Sequence, residues 1–247
     1  MEVRWVSVFL DVPPRRLDDA SAFWTTITQT EVGSPRGRQG EFLPLEAVPG
    51  EASLWLQRTE GGAPACHPDL YVEDVRVAAE VADRLGASLV ADRDDLGIVV
   101  MTSPGGLPFC LVRHRGQSVR MAPVGEAGAR CVVDQLCLDI PPGRYDEECG
   151  FWSDLTGWAL LAEGSHGQFR RLSRPPSIPF AFLLQRLDDE QEAVGAHPDL
   201  ACEDREAVTR RHVAFGAREV RRTDGWIVMA DPAGVTYCNT GRRPGAV

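Results

Sequence analysis

The chain has 247 residues, of which 43% are hydrophobic and 25% charged, and this balance is typical of a globular protein. The formal net charge of −10 argues against a nucleic-acid partner, because proteins that bind the phosphate backbone carry an excess of Lys and Arg. No apolar stretch approaches the ~18 residues that span a bilayer, and the N-terminal segment has no signal-peptide pattern. We therefore expect a cytoplasmic protein without a membrane partner.

The first elements follow from residue periodicity. Residues 3–10 alternate apolar and polar side chains and include aromatic and β-branched residues, which predicts a strand ended by Pro13. Leu17–Thr28 repeats its apolar residues at helical spacing. Strands are then predicted over residues 41–45 and 53–57.

The same order of elements then starts again. A strand is predicted over residues 67–72, a helix over 75–85 that ends before Gly86, and strands over Ile98–Thr102 and 108–112. Each set contains a strand, a helix and two further strands, and we assign it to a βαβββ module.

The second half of the chain repeats the first. LDVPPRRLDDASAFWTTITQTEV from Leu10 matches LDIPPGRYDEECGFWSDLTGWAL from Leu138, and HPDLYVED from His67 matches HPDLACED from His197. Such self-similarity indicates tandem duplication. It predicts an α+β protein of four modules, with domains at residues 1–115 and 130–247 and a Gly- and Ala-rich linker at 116–129.

These motifs resemble the glyoxalase-like domain of the vicinal oxygen chelate superfamily. The resemblance rests on the FW pair of the first helix, HPDLxVED, the helix ending in LGA and the final strand with FC, and it covers nearly the whole chain in two copies. The superfamily includes glyoxalase I, extradiol dioxygenases, and bleomycin-binding and fosfomycin-inactivating resistance proteins. The resemblance implies two mixed sheets, each curled into a cup that faces a ligand or a metal.

Metal-dependent relatives take ligands from the first and last strands of each module. In the second modules the resemblance places His67 and Cys110 at these positions in the first domain, and His197 and Cys238 in the second. Imidazole and thiolate together suit zinc. The usual glutamate is replaced by cysteine in both copies.

The first modules offer poorer ligands. Their first-strand positions are expected near Arg4 or Trp5 and near Val132 or Val133, and their last-strand positions fall within 54–56 and 182–184. None of these residues is a carboxylate. The expected four-ligand set is therefore at most half present.

A carboxylate accompanies each histidine. His67 and Asp69 share one face of a strand, as do His197 and Asp199, because alternate residues point to the same side. Each pair suits general acid–base catalysis or a carboxylate that orients a metal-bound imidazole. The alternative is a structural hydrogen bond, with Cys110 and Cys238 in the core.

Aromatic residues on the predicted strands are candidate ligand contacts, since flat organic molecules bind aromatic walls. In the first domain they are Trp5, Phe42, Trp55 and Tyr71, and in the second Phe169, Phe182 and Trp226. The first domain has the richer face because Ala201 replaces Tyr71 in the second. The other histidines, His114, His166 and His212, lack a partner at a meaningful spacing and are expected at the surface.

Two functions remain open. The favoured one is a metal-free, cofactor-free protein that sequesters a hydrophobic or cationic small molecule. The alternative is a vicinal oxygen chelate enzyme (a lyase, isomerase or dioxygenase) that uses a His/Cys site with Zn, Fe, Ni or Mn, or acid–base chemistry. Internal duplication predicts a monomer, with a homodimer as the alternative.

Overall fold

A computed structural model describes residues 1–163 and 167–245, so His166 lies outside the described residues. The described part contains four helices: α1 (Leu17–Thr28), α2 (Val75–Arg84), α3 (Tyr145–Thr156) and α4 (Arg205–Ala214). The strands of the first repeat are β1 (Trp5–Val12), β2 (Glu31–Val32), β3 (Phe42–Glu46), β4 (Leu54–Arg58), β5 (Ala65–Val72), β6 (Ser88–Arg93), β7 (Ile98–Thr102) and β8 (Pro108–Arg113). Those of the second are β9 (Cys131–Ile140), β10 (Ala159–Glu163), β11 (Phe169–Ser173), β12 (Ala181–Arg186), β13 (Gly195–Cys202), β14 (Arg218–Arg222), β15 (Trp226–Ala230) and β16 (Thr236–Thr240).

Each repeat forms one mixed eight-stranded sheet. The strand orders are β2-β3-β4-β1-β5-β8-β7-β6 and β10-β11-β12-β9-β13-β16-β15-β14, so the two sheets have the same topology and neither is closed. The parallel pairs include β1 with β4 and β5 with β8. The predicted α+β class and four tandem modules are confirmed. None of the described helices is long and apolar enough to cross a membrane.

The predicted elements differ from the observed ones mainly at sheet edges. Helix α1 has its predicted bounds, whereas β1 begins and ends two residues later than predicted. The edge strands β2, β6, β10 and β14 were not predicted. Every residue of β14 is exposed, as are all but one of β6, so neither strand has a buried face to set an alternating pattern.

Close packing divides the chain into two compact units, each drawing on both repeats. Unit one comprises Met1–Ser7, His67–Ser118 and Leu136–Ala196. Unit two comprises Val8–Cys66, Val119–Gln135 and His197–Val247. In each unit, the first helix of one repeat therefore packs with the last strands of the other repeat.

In unit one, α3 is held to the β7–β8 turn of the first repeat. The ring centroid of Trp152 lies 5.3 Å from that of Phe109. The Glu148 carboxylate accepts hydrogen bonds from the Trp152 indole N–H, at 2.8 Å, and from the backbone N–H of Gly105. Glu148 is fully buried, and this desolvation raises its pKa.

In unit two, α1 is held to the β15–β16 turn of the second repeat. The ring centroids of Trp24 and Tyr237 are 5.3 Å apart. The Asp231 carboxylate accepts from the Trp24 indole N–H at 2.9 Å and from the Val235 backbone N–H at 2.7 Å. One buried carboxylate thus serves each unit, but the helix supplies it in unit one and the turn supplies it in unit two.

His212 was predicted to lie at the surface, and the structure shows that this prediction is wrong. It is fully buried on α4, where its Nδ1 lies 3.1 Å from the Tyr237 hydroxyl, and its ring centroid lies 6.0 Å from that of Phe23. Burial lowers the pKa of His212 to about 3. His114 is also largely covered, with 17% of its side chain exposed. A single histidine carries no periodic signal, so the sequence could not reveal this burial.

The buried His212 should make the fold acid-sensitive. The unfolded state protonates this histidine near pH 6.5, whereas the folded state does so only near pH 3, so stability is lost as the pH falls below 6.5. This one group should cost about 2 kcal/mol of unfolding free energy between pH 7 and pH 5. We expect urea unfolding of His212→Gln to show a correspondingly flatter pH dependence. A pH slope in His212→Gln equal to that of the wild type would refute the prediction.

Candidate functional site

Three potential metal ligands come together on β5 and β8 of the first repeat. Asp69 lies opposite Cys110 in the parallel ladder, and His67 precedes Asp69 by two residues on the same strand. The His67 Nε2 is 3.7 Å from the Asp69 Oδ1. The ligand atoms of His67, Asp69 and Cys110 all lie within 4.8 Å of one another. We call this group the first-repeat cluster.

The first-repeat cluster is buried on one side and open on the other. His67 and Asp69 are 7% and 6% exposed, whereas Cys110 is only half-buried. Cys110 follows the β7–β8 turn, in which the Ser103 Oγ accepts from the Leu107 N–H at 3.1 Å. The turn held by α3 therefore sets where Cys110 sits.

Two hydroxyls lie beside the first-repeat cluster. The Ser7 Oγ donates to the Tyr71 hydroxyl at 3.3 Å, and both residues are buried. Tyr71 follows Asp69 by two residues on β5, so the two side chains point to the same side of the strand. The predicted ligand contact Tyr71 thus lies next to the predicted His67–Asp69 pair.

The structure moves the first-strand ligand position of the first module. The Thr59 N–H donates to the Val12 carbonyl at the end of β1. The His114 N–H donates to the Val72 carbonyl at the end of β5, so Val12 and Val72 occupy equivalent positions in the two modules. Ser7 precedes Val12 by five residues, and His67 precedes Val72 by five residues, so Ser7 is the counterpart of His67. The position is therefore Ser7, not Arg4 or Trp5, because β1 extends two residues beyond its predicted end.

The last-strand position of the first module is Trp55. Trp55 lies opposite Phe9 in the parallel ladder, as Cys110 lies opposite Asp69. It falls within the predicted segment 54–56 and offers no ligand atom of the usual kind. The equivalent positions of the first module therefore hold a serine and a tryptophan, neither of which is a usual metal ligand.

The second repeat forms a more enclosed group. The His197 Nε2 lies 3.4 Å from the Cys238 Sγ and 3.4 Å from the Asp199 Oδ1. The Gln135 amide donates to the Asp199 Oδ2 at 2.6 Å. His197 and Asp199 are 8% and 3% exposed, much as His67 and Asp69 are, whereas Cys238 is 3% exposed and so more enclosed than Cys110. The ligand atoms of Cys137, His197 and Asp199 also lie within 4.8 Å of one another.

Sequence reasoning missed Gln135. It occupies the position of Ser7 in the second repeat, whereas the prediction pointed to Val132 or Val133. Gln135 is 4% exposed. The available signal was the polar pair Asp134–Gln135 between apolar residues of the strand, because buried polar groups need hydrogen-bond partners.

Two of the predicted aromatic contacts come together in unit two. The rings of Phe9 and Trp55 are stacked with centroids 5.3 Å apart, and Phe42 meets Phe9 edge-on at 5.9 Å. The Arg36 guanidinium lies 5.0 Å from the centroid of the Trp55 ring. Phe9 and Arg36 were not predicted. We call these four residues the aromatic group.

The other predicted aromatic residues lie elsewhere. Trp5 is fully buried. Phe182 is fully buried against two tryptophans of its own repeat, Trp152 of α3 at 5.5 Å and Trp158 at 5.8 Å. Phe169 lies opposite Gln185 in the β11–β12 pair, and the half-buried Trp226 lies opposite Thr240 in the β15–β16 pair. Phe182 therefore packs against a helix of the core.

Comparison with known proteins gives a consistent result in sequence and in structure. Residues 7–112 and 135–240 each match the glyoxalase-like domain. No curated protein sequence matches the chain.

Similar solved structures span nearly the whole chain. A 2,2',3-trihydroxybiphenyl 1,2-dioxygenase from Sphingomonas wittichii strain RW1 is 15% identical with a TM-score of 0.63, covering 100% of this chain and 93% of that one. A Mn(II)-bound glyoxalase from Novosphingobium aromaticivorans is 16% identical with a TM-score of 0.66, covering 97% and 81%. A variant of homoprotocatechuate 2,3-dioxygenase from B. fuscum is 15% identical with a TM-score of 0.68, covering 98% and 72%. At these identities the likeness shows a shared fold.

Proposed function

The chain belongs to the glyoxalase-like domain family, and on that basis we propose that it is a metal-dependent vicinal oxygen chelate enzyme. Its centre is the first-repeat cluster of His67, Asp69 and Cys110, and its substrate is a small oxygenated organic molecule. The observation that carries the proposal is the approach of an imidazole nitrogen, a carboxylate oxygen and a sulfur within 4.8 Å of one another.

The spacing of the first-repeat cluster fits a metal ion. A histidine nitrogen and a carboxylate oxygen bound at 2.0–2.2 Å to a tetrahedral ion lie about 3.3–3.6 Å apart. The His67 Nε2 and the Asp69 Oδ1 are 3.7 Å apart, so a small side-chain rotation brings them to that spacing. Cys110 is half-buried, so the cluster is not completely closed to solvent.

The donor set favours zinc and a reaction without electron transfer. Nitrogen, sulfur and oxygen donors suit Zn²⁺, which has no redox chemistry. We therefore favour a lyase or isomerase over a dioxygenase. When bound, the ion supplies Lewis-acid polarisation of a substrate oxygen.

The neighbouring side chains would bind and orient the substrate. The Tyr71 hydroxyl accepts from Ser7 and, in this proposal, donates its own proton to a substrate oxygen. Asp69 lies two residues away on the same side of the strand, and its Oδ1 is 3.7 Å from the His67 Nε2, so the two side chains would bind the same ion. Burial of both residues strengthens these interactions relative to water.

The similar structures favour a metal over the metal-free alternative. One of them is a Mn(II)-bound glyoxalase, and several are dioxygenases. Their low identity transfers no ligand set to this chain. The support from the chain itself is the first-repeat cluster, and the more enclosed group of the second repeat serves as its internal control.

Metal content tests this proposal. We expect the purified protein to hold about one zinc ion per chain by plasma mass spectrometry, and His67→Ala to lose it. The matched variant His197→Ala should retain the metal, because the corresponding histidine of the second repeat is not part of the centre. Wild-type protein that takes up no zinc, or metal lost in His197→Ala but not in His67→Ala, would contradict the proposal.

The aromatic group supports a second candidate function, the binding of a hydrophobic compound without metal. Phe9 and Trp55 are buried, whereas Phe42 is half-buried and meets Phe9 edge-on, so an incoming flat molecule can contact the Phe42 ring at the edge of the group. The Arg36 guanidinium already lies over the Trp55 ring, which disfavours a cationic ligand there and favours an anionic one.

An anionic aromatic probe tests the binding function. We expect 8-anilino-1-naphthalenesulfonate to quench tryptophan fluorescence, and Trp55→Leu to weaken its affinity about tenfold through loss of one stacking surface. The control Trp158→Phe changes a tryptophan that packs on Phe182 and should bind normally. Unchanged affinity in Trp55→Leu, with metal added or removed, would refute binding at the aromatic group.

A further inference from the structure

Two cysteines face each other across β9 and β13 of the second repeat. The backbone N–H of Glu203 donates to the carbonyl of Arg130 at 2.9 Å, which pairs these residues at the ends of the two strands. The next residues inward are Cys131 and Cys202. In an antiparallel ladder they form a pair without backbone hydrogen bonds, the kind in which side chains are closest.

The first repeat supports this register and shows that cysteine is not needed for the fold. There the Arg4 N–H donates to the Tyr71 carbonyl at 2.8 Å, so the next outward pair is Val3 with Val72. Both valines are buried, at 4% and 2% exposure. The duplication thus holds two valines at this cross-strand position in one copy and two cysteines in the other.

Both thiols lie on the side of the sheet that α4 covers. The Arg211 Nη2 of α4 lies 3.1 Å from the Cys131 Sγ. The Cys202 Sγ lies 4.0 Å from the Asn239 Oδ1, and the Asn239 amide donates to Thr209 of α4. Burial raises the pKa of both thiols, while the nearby Arg211 lowers that of Cys131. Cys131 is therefore the thiol with an arginine within hydrogen-bond distance, and we assign it the first attack on the oxidant.

We propose that Cys131 and Cys202 are a modification site, at which a peroxide converts the two thiols into a cross-strand disulfide. Side chains opposite each other have Cβ atoms about 4.5–5.5 Å apart, and a disulfide needs about 3.5–4.5 Å, so a small approach of the strand ends suffices. This inference goes beyond the proposed function and does not depend on it.

The oxidation balances with hydrogen peroxide as the oxidant. The Cys131 thiolate attacks one peroxide oxygen, the O–O bond breaks, and a sulfenic acid and one water form after proton transfer. The Cys202 sulfur then displaces the sulfenic hydroxyl as a second water and closes the S–S bond. Two thiols and one peroxide become one disulfide and two waters.

The disulfide would join the strands that carry the second-repeat group. Gln135 lies on β9 and Asp199 on β13, and their side chains are hydrogen-bonded at 2.6 Å. A covalent link between the ends of these strands would restrict their separation. We therefore expect the oxidised protein to unfold at a higher temperature than the reduced protein.

Peptide mapping after hydrogen peroxide treatment tests the proposal. The full-length protein is oxidised, alkylated and cleaved both after arginine and before aspartate, because cleavage after Arg130 separates Cys131 from Cys110 and cleavage before Asp134 separates it from Cys137. We expect a cross-linked peptide joining Cys131 to Cys202, lighter by two hydrogen atoms and lost on reduction. The oxidised protein should also melt at a higher temperature.

Two variants that copy the first repeat serve as controls. Cys131→Val and Cys202→Val restore the valines found at Val3 and Val72, so both should fold, and neither should gain thermal stability on oxidation. The half-buried Cys110 reports whether the peroxide has acted. If Cys110 is oxidised and no Cys131–Cys202 peptide forms, or if Cys131 pairs with another cysteine, the proposal is wrong.

Discussion

One buried carboxylate in each packing unit ties a helix of one repeat to a β-turn of the other. Glu148 binds the Trp152 indole and the Gly105 amide in unit one, and Asp231 binds the Trp24 indole and the Val235 amide in unit two. Desolvation raises the pKa of both carboxyls, so each is retained in the core only because it has several donors. Replacing either carboxylate by an apolar residue would leave buried donors unsatisfied.

This constraint reaches the proposed metal centre directly. The turn that Glu148 holds leads into β8, and β8 places Cys110 opposite Asp69. A helix of the second repeat therefore helps to position Cys110, a proposed ligand in the first repeat. The two repeats have diverged at the site itself: Ser7 and Tyr71 accompany the first-repeat cluster, whereas Gln135 and Ala201 occupy their places in the second.

Much of the fold was predictable because duplication shows the same pattern twice. Helix α1 and strand β7 have their predicted bounds, and His67, Asp69 and Cys110 meet as strand alternation and the resemblance implied. The edge strands were not predictable, since exposed strands carry no apolar alternation. Ser7 was missed because a shift of two residues along β1 changes which residue occupies a ligand position.

The sequence also could not predict which elements pack against each other. Periodicity identified the apolar face of α1 but not that Tyr237 of the other repeat would lie against it. It likewise could not distinguish Phe182, which packs under α3, from Phe42, which lies in the aromatic group. A residue type and its spacing define a face, whereas the identity of the element that covers that face depends on the whole chain.

The most direct test of the account is the absorption spectrum of the protein loaded with cobalt(II) in place of zinc. If Cys110 is a ligand, cobalt should produce a sulfur-to-metal charge-transfer band, and Cys110→Ser should remove it while Cys238→Ser leaves it intact. A spectrum without that band, or a band that survives in Cys110→Ser and is lost in Cys238→Ser, would contradict a metal centre in the first repeat.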